Sequence, residues 1–293
     1  MPSLKALKTR IASVKSTQQI TRAMKLVAAA KMKRAIDSAL ASRPYSDEVT
    51  AVLQSLMARI DEPDHPLLQA HDEVKNVAVI AITSDRGLCG GFNNGLLRNI
   101  DAWLSDLATS DNKPEGIEMM VYGKKSRDHF QRRDANIGRA EVDLNPKEFP
   151  DMAAKLIHEL TTRYESGELD EVYLAYNRFV NTLKQEPVIE KLFPLNELAS
   201  ASHEEPETLV DFVYEPSQKQ ILKDILPLFL STRVQQVFLE SMAGEHAARM
   251  TAMDSATRNA KDVIDRLTLE YNRARQAAIT RELVEIVAGA EAL

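Results

Sequence analysis

The residues that could do chemistry stand in a glycine-rich stretch in the first half of the chain. Residues 87–91 (Gly-Leu-Cys-Gly-Gly) follow a short apolar run and precede a helical pattern, which is where a nucleotide-binding enzyme places its phosphate loop. The glycines lack the G-x-G-x-x-G spacing, and no Lys-Ser or Lys-Thr follows as a P-loop requires. We therefore favour a tight turn that packs the helix close to the sheet, with a nucleotide site as the alternative.

Cys89 is the only cysteine, so it forms no disulfide within the chain. A helix N-terminus lowers a thiol pKa, but no histidine or acid stands at a recognisable spacing, and small core filling is favoured over a nucleophile. The six histidines include no H-x-x-x-H or H-E-x-x-H pair. The sequence therefore predicts no catalytic residue, no metal site and no cofactor.

A heptad pattern dominates the C-terminal end of the chain. Residues 228–293 contain no proline, and their apolar residues recur at alternating steps of three and four. The recurring residues are Met253, Ala256, Ala260, Val263, Leu267, Ala274 and Ala277, with one gap at Glu270. This repeat predicts a coiled-coil helix about 100 Å long, which must pack against another long helix.

The N-terminal end supplies that partner. No glycine occurs between Ser3, a candidate N-cap, and Ile60. Further seam residues are Leu4, Leu7, Ile11, Val14, Met24, Ala28, Ile36, Leu40, Val49, Leu53 and Leu56, with a kink expected at Pro44. Because no third long helix is predicted, we expect an antiparallel coiled coil of the two ends and not an ordinary bundle.

The segment between the two long helices predicts a small α/β domain. Strand patterns over residues 76–83, 117–122, 136–142 and 171–180 alternate with helical patterns, which indicates parallel strands in a doubly wound sheet. A fifth strand, 187–193, follows too short a link for a crossover and is expected to be antiparallel at an edge. The predicted domains are residues 1–60, 74–195, an acidic loop over 196–217, and 218–293, whose helix Pro227 kinks or starts.

Charge is distributed unevenly along the chain. Residues 1–43 contain ten Lys or Arg and one acid, a net charge of +9, whereas the whole chain carries −6. Such a basic helix has a solvated face or meets an anionic partner. A nucleic-acid-binding coiled coil is the alternative function, although no aromatic residue precedes Tyr45 in the basic stretch.

Four stretches resemble the γ subunit family of bacterial F-type ATP synthases, and the resemblance spans the chain. They are residues 20–25 (Ile-Thr-Arg-Ala-Met-Lys), 85–91 (Asp-Arg-Gly-Leu-Cys-Gly-Gly), 271–276 (Tyr-Asn-Arg-Ala-Arg-Gln) and 279–290, which begins Ile-Thr-Arg-Glu and ends Gly-Ala. The resemblance implies a non-catalytic rotor shaft, one copy per complex, that turns inside a ring of α and β subunits. It further implies contacts with the ε subunit and the membrane c-ring, no nucleic acid, and a peripheral location on the cytoplasmic face of the bacterial plasma membrane.

Individual positions match contact residues of that family. Those that match rotor–stator contacts on the β subunit are Met24, Lys25, Arg249, Arg275, Gln276 and Thr280. Glu215 matches a residue at the foot of the shaft that meets the membrane ring and ε. The resemblance thus implies that rotation drives the catalytic sites of β while this chain itself breaks no bond.

Overall fold

The structure is a computed structural model that describes residues 3–57, 65–110, 113–195 and 217–291. The first and last elements of the chain are two long helices, α1 (Leu4–Met57) and α5 (Gln218–Glu291). Ser3 caps α1 as predicted, because its Oγ accepts a hydrogen bond from the Ala6 amide at 3.2 Å. Pro227 does not start α5, which begins nine residues earlier. Ile60 and the acidic stretch around Glu215 lie outside the described residues.

The segment between the long helices forms a five-stranded sheet with three helices. In chain order its elements are β1 (Asn76–Ile82), α2 (Phe92–Thr109), β2 (Gly116–Tyr122), α3 (Lys124–Gln131), β3 (Ile137–Glu141), α4 (Phe149–Glu165), β4 (Glu171–Phe179) and β5 (Gln185–Phe193). The strand order is β3-β2-β1-β4-β5, with β5 antiparallel to β4 and the other pairs parallel. The predicted doubly wound sheet and its antiparallel edge strand are confirmed.

Both faces of the sheet are covered, which explains why β1 is a continuous apolar run. Ala78, Ile80 and Ile82 point into a core that includes residues of α4, the beginning of α5 and the end of α1. Val77 and Val79 point to the other face, into a core with α2 and α3. The alternation follows from the two-residue period of a strand.

The chain divides into two compact units, one with the residues up to 29 and those from 249 on, the other with residues 30–248. The first unit is a pair of antiparallel helices. Thr21 meets Thr257, and Lys25 meets Asp254, so residue numbers rise along α1 as they fall along α5. The predicted antiparallel pairing of the two chain ends is confirmed.

The seam of this helix pair departs from the predicted one at alternate positions. Met253, Ala260 and Leu267 are buried as predicted. Between them, the inward positions are Thr257 and Ile264, because the steps run four then three and not three then four. Glu270 and Ala277 are consequently exposed, and Tyr271 and Ala278 are half-buried in their place.

Two predicted seam residues of the second unit lie beside the seam. Ile36 is half-buried, whereas the adjacent Ala35 is buried. Leu40 is 51% exposed, whereas the adjacent Ala39 packs against the core. Val49, Leu53 and Leu56 are buried as predicted. The phase of α1 therefore follows the strict seven-residue repeat through Ala39, and the larger side chain at position 40 points to solvent.

Candidate functional site

The glycine-rich turn after β1 is held by its own side chains. Asn93 accepts a hydrogen bond from the Ser84 amide at 2.9 Å, and its Nδ2 donates to Ser84 Oγ at 2.8 Å and to Cys89 Sγ at 3.2 Å. Cys89 is 2% exposed. The thiol is thus a member of a buried polar network that includes Ser84 and Asn93.

Three glycines in and just after this turn are not required for close packing. A Cβ added at Gly87, Gly91 or Gly95 would meet no atom within 4 Å, so the predicted close approach of helix and sheet is not made at these residues. Gly90 has φ 59°, which glycine adopts without strain, and Leu88, two residues earlier, also has a positive φ of 64°. The turn geometry accounts for Gly90 alone.

The crevice where a doubly wound sheet binds a nucleotide is filled by α5. This crevice lies outside the carboxyl ends of the strands at the switch point, here between β1 and β4. Gly244 of α5 lies so close to Phe92 at the start of α2 that an added Cβ would be 3.2 Å from the ring, and 3.9 Å from the Asn177 carbonyl of β4. A protein helix therefore occupies the space that a nucleotide would need.

The described residues also contain no cluster of His, Cys, Asp or Glu that could hold a metal ion. None of the described helices combines the length and the apolar character required to cross a membrane.

The helix pair of the first unit has a polar layer within its apolar seam. The hydroxyls of Thr21 and Thr257 lie 2.8 Å apart, and Gln18 Nε2 donates to the Thr257 carbonyl at 3.5 Å. One turn further along α1, Lys25 Nζ donates to Asp254 Oδ1 at 2.5 Å. A partly buried polar contact of this type favours one alignment of the two helices over slipped ones, because slippage leaves its partners unpaired.

Lys25 is paired within the helix pair and remains partly exposed. Its ammonium group is paired with Asp254, and this hydrogen bond, together with the charge of Arg258, holds the pKa of the Asp254 carboxyl below its usual range. The Lys25 side chain remains 41% exposed. The charge of Lys25 is thus partly neutralised inside the helix pair, with one side still open to another molecule.

The other predicted contact residues separate into two groups. Met24 is half-buried beside Lys25, at the level of Asp254, and Arg249 is 9% exposed. Arg275, Gln276 and Thr280 are all exposed, about 30–40 Å further along α5 from Asp254. Glu215 lies outside the described residues.

The polar layer was not predicted from the sequence, because only apolar residues were assigned to the seam. Gln18, Thr21 and Lys25 stand at heptad spacing from Leu4, Leu7, Ile11 and Val14, and that spacing was the available signal. A heptad position occupied by a polar residue predicts an interhelical polar contact as readily as it predicts a gap.

The end of α5 carries large apolar side chains on its surface. Given the pairing of Thr21 with Thr257, Leu4 lies level with about residue 274, so α5 continues beyond the start of the described part of α1. The exposed fractions in this extension range from 49% to 67%, for Ile279, Leu283, Val284, Ile286 and Val287. A helix with an apolar surface of this extent is typical of one that inserts into an apolar surrounding.

Comparison with known proteins agrees with this arrangement. The ATP synthase family matches residues 3–293. The ATP synthase gamma chain of Pelotomaculum thermopropionicum is 47% identical over 296 residues, covering 100% of both chains. That of Chlorobium phaeobacteroides is 44% identical over 293 residues, covering 100% of this chain and 99% of the other.

Solved structures show the same fold. The structure of the central stalk and c-ring of the mitochondrial ATP synthase of Tetrahymena thermophila contains a chain that matches with a TM-score of 0.59 and 25% identity, covering 81% of this chain and 99% of that one. A chain of the Euglena gracilis enzyme matches with a TM-score of 0.64 and 19% identity, over 99% and 94%. These matches give no support to a nucleic-acid-binding module. From its full-length similarity to these gamma chains, this chain belongs to the ATP synthase γ chain family.

Proposed function

We propose that this chain, a non-catalytic γ subunit and the central rotor shaft of an F-type ATP synthase, transmits torque through contacts at two levels of its helix pair. The subunit is part of a membrane-associated complex in which rotation couples ion flow to ATP synthesis or hydrolysis. The lower level is the surroundings of Met24 and Lys25, and the upper level is the end of α5 from Arg275 onward.

The observation that carries the proposal is the exposed apolar surface at the end of α5. An apolar sleeve around residues 279–287 would remove these side chains from water while making few directional bonds that rotation must break. This property suits a bearing, since apolar contact depends on buried area and not on one orientation. In the complex, we assign this sleeve to the ring of α and β subunits.

Charge supports the lower contact. Residues 3–29 contain six Lys or Arg and no acid, and all six but Lys25 are exposed. Acidic surfaces on the β subunits would be attracted to this helix without a fixed docked geometry, because charge complementarity acts over several ångströms. Met24, which is half-buried, would present its flexible side chain to the same surfaces.

Exposure supports the upper contact residues. Arg275, Gln276 and Thr280 have donors that can reach a neighbouring subunit, and Gln276 and Thr280 are one turn apart on the same face of α5. Transient hydrogen bonds from these side chains to a loop of β would hold the rotor at one angle until that loop moves. Arg249, at 9% exposure, would act through its neighbours in this chain and not as an outward contact.

The remaining partners follow from the family. We assign the ε subunit and the membrane c-ring to the foot of the shaft, where Glu215 stands in the sequence, with one γ copy per complex. A bacterial source would place the complex at the cytoplasmic face of the plasma membrane. Torque transfer by protein contacts alone involves no nucleic acid.

The first experiment tests the assembly. Co-expression with the α and β subunits should yield a complex with one copy of this chain per three αβ pairs, measured by quantitative mass spectrometry of the purified complex. Failure to co-purify would contradict the proposed function as a whole.

The second experiment tests the upper contact. Arg275→Ala should lower ATP synthesis by the assembled enzyme several-fold, because a hydrogen bond from a charged donor contributes about 1.5–3 kcal/mol. Arg273→Ala is the matched control, since Arg273 is also exposed and lies on the opposite side of the same helix turn. Equal losses in the two variants would show that general positive charge matters, and not a hydrogen bond from Arg275 to a loop of β.

A further inference from the structure

A close three-way contact joins α5 to the sheet domain at the carboxyl ends of its strands. We call it the joint and define it by Phe92 at the start of α2, residues 177–185 of the β4–β5 hairpin, and Glu240 and Gly244 of α5. All of these residues lie in the same compact unit. This contact occupies the crevice at which sheets of this topology bind ligands. The crevice here holds a helix of the same chain.

Gly244 lets α5 lie close to two segments of the sheet domain. An added Cβ would lie 3.2 Å from Phe92 Cε2 and 3.3 Å from Gln185 Cγ, which is tighter than ordinary van der Waals contact. A glycine inside a helix lowers stability relative to alanine. Its presence here is explained by the approach of two different segments to one point on the helix.

Glu240 adds a directional bond on the same face of α5, one turn before Gly244. Its Oε1 accepts a hydrogen bond from the Phe179 amide at 2.8 Å, at the end of β4. Burial raises the pKa of the Glu240 carboxyl, so the group is held in a place unfavourable to its charge. The hydrogen bond from the Phe179 amide and the nearby charges of Arg233 and Arg178 offset part of that cost.

The two segments that contact α5 are also tied to each other. Asn177 is buried, and its Nδ2 donates to the Phe92 carbonyl at 3.0 Å. The start of α2 and the end of β4 therefore form one surface against which α5 lies. A helix held by a close steric contact and by a directional bond, one turn apart, resists both sliding and turning about its own axis.

We propose that the joint is the point at which torque passes between the sheet domain and α5, with Glu240 and Gly244 as its positioning residues. The inference rests on the proposed rotor function, because only a rotating shaft loads this contact. The beginning of α5 is anchored in the apolar core of the sheet domain, so a loosened joint would let the helix twist further relative to that domain under load without freeing it. ATP hydrolysis would then continue while ion pumping fell.

The test uses the complete membrane enzyme in sealed vesicles, with ions pumped per ATP hydrolysed as the readout. Glu240→Ala removes the acceptor for the Phe179 amide and should lower this ratio at least two-fold, with ATP hydrolysis largely retained. Glu240→Gln keeps a carbonyl acceptor at the same position and should retain the wild-type ratio. Glu270→Ala, an exposed glutamate on the same helix, should also leave the ratio unchanged.

A covalent lock separates torque transfer from a merely structural effect. Gln185→Cys with Gly244→Cys places a sulfur near the present Gln185 Cγ, close to the spacing that a disulfide needs. Diamide forms the S–S bond by accepting the two thiol hydrogens, and dithiothreitol breaks it. In the Glu240→Ala background, oxidation should restore the pumping ratio and reduction should lower it again, while the buried Cys89 takes no part.

Several outcomes would overturn the proposal. They are a wild-type ratio in Glu240→Ala, a lower ratio in Glu240→Gln equal to that of Glu240→Ala, a disulfide that does not form, and a locked joint that leaves pumping low. The wild-type chain in the same vesicles distinguishes a failure of the joint proposal from a failure of the proposed rotor function. If the wild type supports ion-driven ATP synthesis and the variants show one of these outcomes, only the joint is refuted; if the wild type itself supports none, the rotor function fails.

Discussion

Gly123 tests the packing of the sheet domain most directly, because a larger residue there would meet both backbone strain and steric overlap. The residue precedes α3 with φ 101° and ψ 143°, a combination open essentially to glycine alone. A Cβ at this position would lie 2.3 Å from the Thr83 carbonyl oxygen. That carbonyl cannot easily withdraw, since Thr83 is buried and its amide donates to the Tyr122 carbonyl at 2.8 Å.

The expected loss for Gly123→Ala follows from these contacts. Backbone strain contributes about 1–3 kcal/mol, and forcing a methyl group into a filled space contributes about 1–3 kcal/mol more. Displacing Thr83 weakens its hydrogen bonds to Tyr122 and Ser126, each worth about 1 kcal/mol. Alanine also lowers the conformational entropy of the unfolded chain, which stabilises the folded state by about 0.4–1 kcal/mol. The free energy of unfolding of the sheet domain should therefore fall by about 4 kcal/mol.

Two further glycines separate the contributions of strain and overlap. Gly167 has φ 74° but open space around an added Cβ, so Gly167→Ala should lose only about 1–2 kcal/mol. Gly87 has neither a positive φ nor a neighbour within 4 Å, so Gly87→Ala should change stability by about 0.5 kcal/mol or less. Urea unfolding followed by the fluorescence of Trp103, the single tryptophan, measures all three. Trp103 reports this domain because its ring lies 4.7 Å from that of Tyr173 in β4. A Gly123→Ala loss no larger than that of Gly167→Ala would refute the close-approach argument.

Two predictions concern charged groups. Burial alone would raise the pKa of Asp170, but hydrogen bonds from His71 and from the Asn76 and neighbouring amides outweigh it and lower that pKa. Because the folded pKa lies below the unfolded one, the stabilisation is complete above the unfolded value and is lost as pH falls through the folded value. Asp170→Asn should therefore flatten the acid side of the unfolding free energy plotted against pH, and an unchanged slope would contradict the assignment. In a double-mutant cycle, Lys25→Ala and Asp254→Ala should together destabilise the helix pair less than the sum of the single changes. The coupling, measured by thermal unfolding, should shrink in high salt, and a salt-independent value would argue against an ion pair.

The fold of the sheet domain could be predicted because its elements differ in period. β1 is a short apolar run and α2 a longer amphipathic pattern, and the turn residues between them mark the boundary. The predicted strand over residues 171–180 corresponds to β4 within one residue. The antiparallel edge strand was predicted from loop length alone, since a link of a few residues cannot cross over a sheet.

The phase of the long helices could not be fixed by the same reasoning. Steps of three then four and of four then three share every second position, so Met253 and Ala260 fit both phases. Apolar residues favoured Ala256, whereas the structure places Thr257 inward because its hydroxyl meets that of Thr21. The exposed Glu270 was the sign of the wrong phase, since a correct seam has no charged gap there.

Two separate observations argue against a nucleotide at the switch point. The sequence lacks a phosphate-binding loop, and in the structure α5 fills the crevice. A motif search asks whether the right residues follow β1, and a sequence can lack the motif yet leave the crevice open for another ligand. The close approach of Gly244 to Phe92 removes the space itself, and it joins residues about 150 positions apart in the chain. No local pattern predicts such a contact, although an isolated glycine in a long helix was its one visible trace. A fold that elsewhere binds a ligand at its switch point here binds its own C-terminal helix, which is why we place torque transfer, and not chemistry, at that position.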